Sequence, residues 1–189
     1  MNILCLDMEY NMPSGKIIEI GYTISDVKTQ KIKLAKSILV NPGEVLSADI
    51  IELTGITDEM LIGKPTLQEA YLQLLKDKND YQCNKHILQW GSDHMHLFSE
   101  LQKITPDMHW GQFCFAKRAN DVKSLYQSWA MIQPNGKSVA GLSGAMKTLG
   151  MLFEGRQHRA LVDAENTLNV FHHLTDKFKQ YEQIKKVIK

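Results

Sequence analysis

The sequence predicts an α/β domain in which helices flank a central mixed sheet of five strands. Three observations carry that expectation. The run Ile3-Leu4-Cys5-Leu6-Asp7-Met8-Glu9-Tyr10 is apolar up to its end, too short for a helix, and has the composition of a buried central strand. Two further segments alternate with period two, through Ile18, Ile20, Tyr22 and Ile24, and then through Ile32, Leu34, Ile38 and Val40. Beyond the breaker Asn41-Pro42-Gly43 the apolar period lengthens to that of helices.

The elements follow in order. Short connections around Pro13-Ser14-Gly15 and from Asp26 to Gln30 pair the first three strands antiparallel. Ser47 caps a short helix through Ile50, Ile51 and Leu53 that ends at Gly55, and Thr66 with Glu69 makes a capping box for a helix carrying Leu67, Ala70, Tyr71, Leu74 and Leu75. His86 to Trp90 reads as a fourth strand, followed by a helix that starts at Asp93 and carries Leu97, Phe98 and Leu101. A fifth short strand is expected near Phe113 to Phe115. Two helices come next, one with Val122, Leu125, Tyr126 and Trp129, the other with Leu142, Ala145, Met146 and Leu149, closed by Gly150. The last and longest helix has Leu161, Ala164, Leu168, Phe171, Leu174, Phe178 and Tyr181 at helical spacing, a core stripe. No repeat or linker interrupts this order, so residues 1–189 read as one domain.

Composition narrows the function classes. Hydrophobic content of 43% and charged content of 23% are those of a globular protein that stays in solution. No apolar stretch approaches the roughly 20 residues of a membrane span, and the N-terminus lacks a secretion signal, which predicts a cytoplasmic protein with no membrane partner. Cys5, Cys83 and Cys114 are odd in number and lack CxxC spacing, against both a disulfide framework and a zinc site. A net charge of +1 speaks against gripping long duplex through many phosphates and leaves room for a short, local nucleic-acid footprint. The lysines near the end, Lys185, Lys186 and Lys189, suit the C-terminus of a helix.

The chemistry sits in the acids. Asp7 and Glu9, at i and i+2 on a strand, leave it on one face, and two adjacent carboxylates at the end of an apolar strand call for a divalent cation. Asp93 follows the fourth strand and meets them if that strand runs parallel to the first. Asp121, in the N-cap region of a helix, is the rival for Asp93's place. Asp163 falls early in the last helix, which holds its carboxylate rigidly, and His158 stands on the loop before it, free to turn toward an attacking water. His94 with His96, and His172 with His173, diverge around their helices and suit structural roles.

These residues resemble the DEDDh 3′-to-5′ exonucleases, a family with the ribonuclease H-like fold. Asp7-Met8-Glu9 is similar to the family's D-x-E motif, and Gly155 to Asn166, with His158 and Asp163, to its H-x-x-x-x-D motif. Leu53-Thr54-Gly55-Ile56-Thr57 resembles the segment lining the terminal-nucleotide pocket. Trp90-Gly91-Ser92-Asp93, Gly150-Met151 and Gly155-Arg156 resemble the branch that trims 3′ ends of histone messenger RNA, ribosomal RNA and small RNA, although there the glycine usually stands one residue further from the aspartate. Tyr10 replaces a threonine that, in many relatives, helps hold the terminal sugar, a departure that bears on ribose against deoxyribose.

The resemblance implies a nuclease that releases nucleoside 5′-monophosphates from 3′ ends of single-stranded RNA or DNA, with RNA favoured. It implies two Mg²⁺ or Mn²⁺ ions on Asp7, Glu9, Asp93 and Asp163, and His158 as general base. Met8, Tyr10, Leu53, Thr54 and Ile56 are the candidates to touch the last nucleotides, with core packing as the competing use. A homodimer and a polymerase or nuclease partner stay open, as do a non-catalytic binding protein on the same fold and a proofreading subunit active only in a complex.

Overall fold

β1 (Asn2–Tyr10), β2 (Ile17–Asp26) and β3 (Ile32–Leu39) pair antiparallel, as their short connections dictate. The structure, a computed structural model, describes residues 1–115, 118–134, 136 and 141–187, of which 180–187 by backbone alone. Helices α1 (Ala48–Thr54), α2 (Asp58–Leu61) and α3 (Leu67–Asp80) lead to β4 (Cys83–Gln89), which joins β1 in parallel. α4 (Asp93–Ile104) then leads to β5 (Ala119–Asp121), parallel to β4. Among the described residues the sheet has five strands in the order β3-β2-β1-β4-β5. α5 (Val122–Met131), α6 (Leu142–Thr148) and α7 (Ala160–Val187) complete the chain. No helix among the described residues is long and apolar enough to cross a membrane.

Alternation along β1 sorts the core into two layers. Leu4, Leu6 and Met8 face one cluster with Leu74, Leu97 and Leu101 of α3 and α4, while Ile3 and Cys5 face another with Tyr126, Met146, Leu168 and Leu174 of α5 to α7. Asp7 and Glu9 continue the second series, so the strand's own period carries both carboxylates to the face that α7 covers. The same holds on β2. Ile20, Tyr22 and Ile24 enter the first cluster, and Glu19, Gly21, Thr23 and Ser25 lie under α7, buried as well.

Gly21 sets how close α7 can come. A side-chain carbon there would lie 2.0 Å from the Ala160 carbonyl carbon and from the Leu161 nitrogen, so the first turn of α7 rests directly on the β2 backbone. Because Gly21 is the cross-strand partner of Asp7, that contact also fixes the distance from α7 to the acids. Gly21→Ala is expected to lift the start of α7, destabilise the protein by about 1–3 kcal/mol and sharply reduce catalysis. Thermal melting and a cleavage assay on the same preparation check this; an alanine variant with normal stability and activity would contradict it.

Two local expectations are corrected. Phe113 and Phe115 are not in a strand. They pack with Tyr71, Phe98 and Trp110 in an aromatic cluster after a short 3₁₀ turn at Trp110–Gln112, and the fifth strand lies further on at Ala119–Asp121. Aromatic side chains favour strands because they fill half-buried surfaces, and here a loop presents the same surface. Ser47 occupies the N-cap of α1, but its hydroxyl makes no cap bond; its N–H is held instead by Asn11 Oδ1 at 2.9 Å. The Thr66–Glu69 capping box is present in both halves. The side chains of Tyr181, Lys185, Lys186 and Lys189 lie outside the described residues.

Candidate active site

Three elements and one loop deliver the predicted side chains. Asp7 and Glu9 end β1, Asp93 is the first residue of α4 after the parallel strand β4, and Asp163 is in the first turn of α7. His158 stands two residues before α7, exposed, with φ 60°, a left-handed conformation that costs a non-glycine residue on the order of 1 kcal/mol. Its N–H donates to Asp163 Oδ2 at 3.1 Å. A carboxylate oxygen of Glu9, one of Asp163 and a ring nitrogen of His158 all lie within 4.8 Å of one another. Asp7 and Asp93 stand outside this three-way cluster. Asp93 is held separately, its Oδ1 accepting the Tyr10 hydroxyl at 2.9 Å.

Electrostatics joins what the distances separate. Burial, and then the charges of Asp93, Asp163, Glu9 and Glu19, hold Asp7 well above the ordinary carboxylate range. Burial pushes Glu9 up to about 8, with Asp163, Glu19 and Asp93 adding to it and Arg159 opposing. Asp163 rises to about 6 through burial, against the His158 N–H that stabilises its anion. Asp93 rises to about 6 for the same reason, against the Tyr10 hydrogen bond. Burial and the neighbouring Asp93 push the Tyr10 phenol far up, so it remains a donor. Four carboxyls that each resist ionisation beside the others make a cation-hungry site. The donors are oxygens, joined by one imidazole, and they fit hard divalent ions such as Mg²⁺ or Mn²⁺.

The remaining candidates separate by burial. Met8 packs in the first core cluster, and Ile56 packs with Ile18, Leu46, Ile50 and Leu61. Thr54 is fully buried, its hydroxyl donating to the Ile50 carbonyl at 2.7 Å and accepting the Ile56 N–H at 3.0 Å. These three side chains are therefore given to packing, while Leu53, 44% exposed, and the half-buried Tyr10 present surface. His94 is hydrogen-bonded with Gln89, and His96 with the Gly15 carbonyl while its ring meets Tyr10 edge-on at 4.4 Å. His172 pairs with Ser25 under α7. Cys5, Cys83 and Cys114 are free thiols.

Asp121 is consumed by structure. Its Oδ1 accepts the N–H groups of Gly91 at 2.8 Å and Lys123 at 2.9 Å, and its Oδ2 accepts the Ser124 hydroxyl at 2.6 Å. It is the N-cap of α5. Asp121→Ala is expected to cost about 1 kcal/mol of stability and to leave most of the activity, whereas Asp93→Asn is expected to leave a folded, inactive protein. Melting curves and cleavage rates of the two variants decide it, and the opposite pattern of rates would make Asp121 the site residue.

Two residues at the site, Glu19 and Arg159, escaped the sequence reading, and Arg156 entered it only as part of a motif. Glu19 faces Glu9 directly across the β1–β2 pair. Arg159 makes a two-point contact with it, Nε to Oε2 at 3.1 Å and Nη2 to Oε1 at 2.9 Å. Arg156 reaches from the His158 loop to the end of α1, donating to the Glu52 carbonyl at 3.1 Å with its guanidinium against Gly55. The signal for Glu19 was the register: an acid two residues before Gly21 on a strand that pairs antiparallel with β1.

Residues 4–171 match the model of the exonuclease family, RNase_T. No curated protein matches the chain. Among solved structures, the fold is similar to the nuclease domain of 3′hExo, a DEDDh family member, bound to rAMP, at 20% identity and a TM-score of 0.80, covering 93% of this chain and 92% of that one. It is similar to exonuclease X in complex with 5′ overhanging duplex DNA, at 20% identity and 0.61, covering 93% and 91%. It is also similar to S. pombe Pop2p in its Mg²⁺ and Mn²⁺ bound form, at 17% identity and 0.66, covering 91% and 82%. Of a full-length 3′-exonuclease the chain spans 60%. The mixed five-stranded sheet with its flanking helices is thus the ribonuclease H-like exonuclease fold.

Proposed function

Because the chain belongs to the exonuclease family and carries a DEDDh set of side chains, we propose that it is a metal-dependent 3′-to-5′ exonuclease. It releases nucleoside 5′-monophosphates from the 3′ end of single-stranded or short nucleic acid, with RNA preferred over DNA. The observation that carries this reading is the cluster of Glu9, Asp163 and the exposed His158 within 4.8 Å, with Asp7 on the same strand face as Glu9, and Asp93 near enough to bear on the ionisation of Asp7.

Asp7, Glu9, Asp93 and Asp163 would hold two divalent ions such as Mg²⁺ or Mn²⁺, Glu9 and Asp163 from the His158 side and Asp93 from the side of Tyr10. When bound, such ions supply a polarised water and charge stabilisation at the scissile phosphate and the leaving 3′ oxygen. The Tyr10 hydroxyl holds Asp93 in place through Oδ1. His158, on an exposed loop, accepts the proton of the attacking water on a ring nitrogen and passes it to solvent. Leu53 offers an apolar surface against which the terminal base stacks.

Support for an RNA substrate comes from the neighbour with the 0.80 TM-score, described with rAMP, against 0.61 for the one described with DNA. The test is digestion of 5′-labelled single-stranded RNA and DNA of matched sequence with Mg²⁺, Mn²⁺ or EDTA. Ladders that shorten from the 3′ end, need metal and form faster on RNA are expected. Faster cutting of DNA would reverse the substrate, and no cutting by folded protein would leave a binding or subunit role.

A further inference from the structure

We propose that Glu19 is a positioning residue for His158, acting through Arg159 and the first peptide of α7. The inference rests on the reading of His158 as the general base and adds to it what holds the base in place.

Glu19 is fully buried, and both its oxygens are saturated. Oε1 accepts the Ser37 hydroxyl at 2.5 Å and Arg159 Nη2 at 2.9 Å, and Oε2 accepts Arg159 Nε at 3.1 Å and the Ala160 N–H at 3.0 Å. The Ala160 bond satisfies one of the free N–H groups that begin every helix, so a carboxylate on β2 does for α7 what a capping side chain ordinarily does from the helix itself. The two residues it grips directly follow His158. With Asp163 taking the His158 N–H from the other side, the backbone at φ 60° is fixed at both ends. A strained conformation persists only where its surroundings over-determine it, and here the surroundings are these bonds.

An acid at this position also carries a cost. Glu19 sits directly across the antiparallel pair from Glu9, where like charges repel, and its charge also raises the proton affinity of Asp163 and Asp7. Arg159 offsets part of that cost, since it faces Glu19 and Glu9 together. The gain lies in the geometry. A planar two-point bond fixes the direction as well as the position of Arg159, and with it the turn that presents the imidazole to Glu9 and Asp163.

The test uses Glu19→Gln, which keeps the shape and removes the charge, and Arg159→Met, which breaks the same contact from its half-exposed end. Each is combined with His158→Ala, and kcat and KM are measured on a single-stranded RNA oligonucleotide, with single-turnover rates for the slow variants. Each single variant is expected to melt at a lower temperature while remaining folded, to lose about ten- to a hundredfold in kcat with KM nearly unchanged, and to lose nothing further in kcat in the His158→Ala background. A rise in KM at constant kcat would make Arg159 a substrate contact, and losses that multiply with His158→Ala would make the clamp merely structural; either overturns the proposal. If Glu19→Gln does not fold, Arg159→Met carries the same comparison alone. If His158→Ala is itself fully active, the general-base reading falls first, and this inference with it.

Discussion

Asp7→Asn is expected to abolish cleavage and, in the same molecule, to raise the melting temperature of the metal-free protein. Four other acids bear on Asp7: burial comes first, then Asp93, Asp163, Glu9 and Glu19 each oppose its ionisation. An asparagine of the same shape removes that repulsion, and a gain on the order of 1 kcal/mol is what relief of strain at a functional site typically yields. The same change removes a carboxylate proposed to hold the cations, and the loss in kcat should be on the order of a thousandfold or more. Melting in EDTA and a cleavage assay on one preparation measure both effects. A variant that is less stable and inactive would show that Asp7 serves the fold, and one that stays active would remove it from the chemistry.

The second large effect is a stability that falls as pH rises unless a divalent ion is present. In the unfolded chain these carboxyls lose their protons near pH 4. In the folded protein Asp93 and Asp163 hold theirs to about 6, Glu9 to about 8, and Asp7 well above the usual range. Between those values the folded state binds more protons than the unfolded one. The stability these groups contribute is therefore complete below their unfolded values and is lost as pH rises through 6 and then 8. A divalent cation substitutes for the protons by neutralising the same anions, and it stabilises by mass action only the folded protein that assembles the site. Melting temperature in EDTA should decline from about pH 5 to about pH 8, and the gap between Mg²⁺ and EDTA curves should widen over the same span. A gap that narrows with pH would mean that the acids are already ionised and balanced without metal.

Part of the site was open to sequence reading because local rules produce it. Asp7 and Glu9 follow from a short apolar strand with two acids on one face, and Asp93 from the end of a strand parallel to the first; both geometries are found in the structure. The His158-to-Asp163 spacing is legible because the last helix has a clear apolar stripe whose start can be placed. Glu19 was not legible for a physical reason. Period-two alternation in β2 suggests one core face and one wet face, and only the tertiary packing of α7 over Gly21 turns the second face into the floor of the site. The same limit applies to Thr54 and Ile56. They lie in the right segment, but whether a side chain there meets a nucleotide or the core is decided by α1 and its neighbours, and the structure buries both. The misplaced fifth strand shows the reverse error, a strand-like aromatic composition at Phe113 and Phe115 that serves a loop.

The central claim is hydrolysis that starts at a free 3′ end and depends on the acidic cluster. It is tested most directly by identifying the first products. Wild-type protein is mixed with a short single-stranded RNA, the reaction is stopped within the first turnovers, and the small products are separated and weighed by mass spectrometry, with Mg²⁺ and with EDTA. Nucleoside 5′-monophosphate from the 3′-terminal position is expected as the first product, with Mg²⁺ only. Internal fragments, nucleoside 3′-monophosphates, or the same products in EDTA would contradict it.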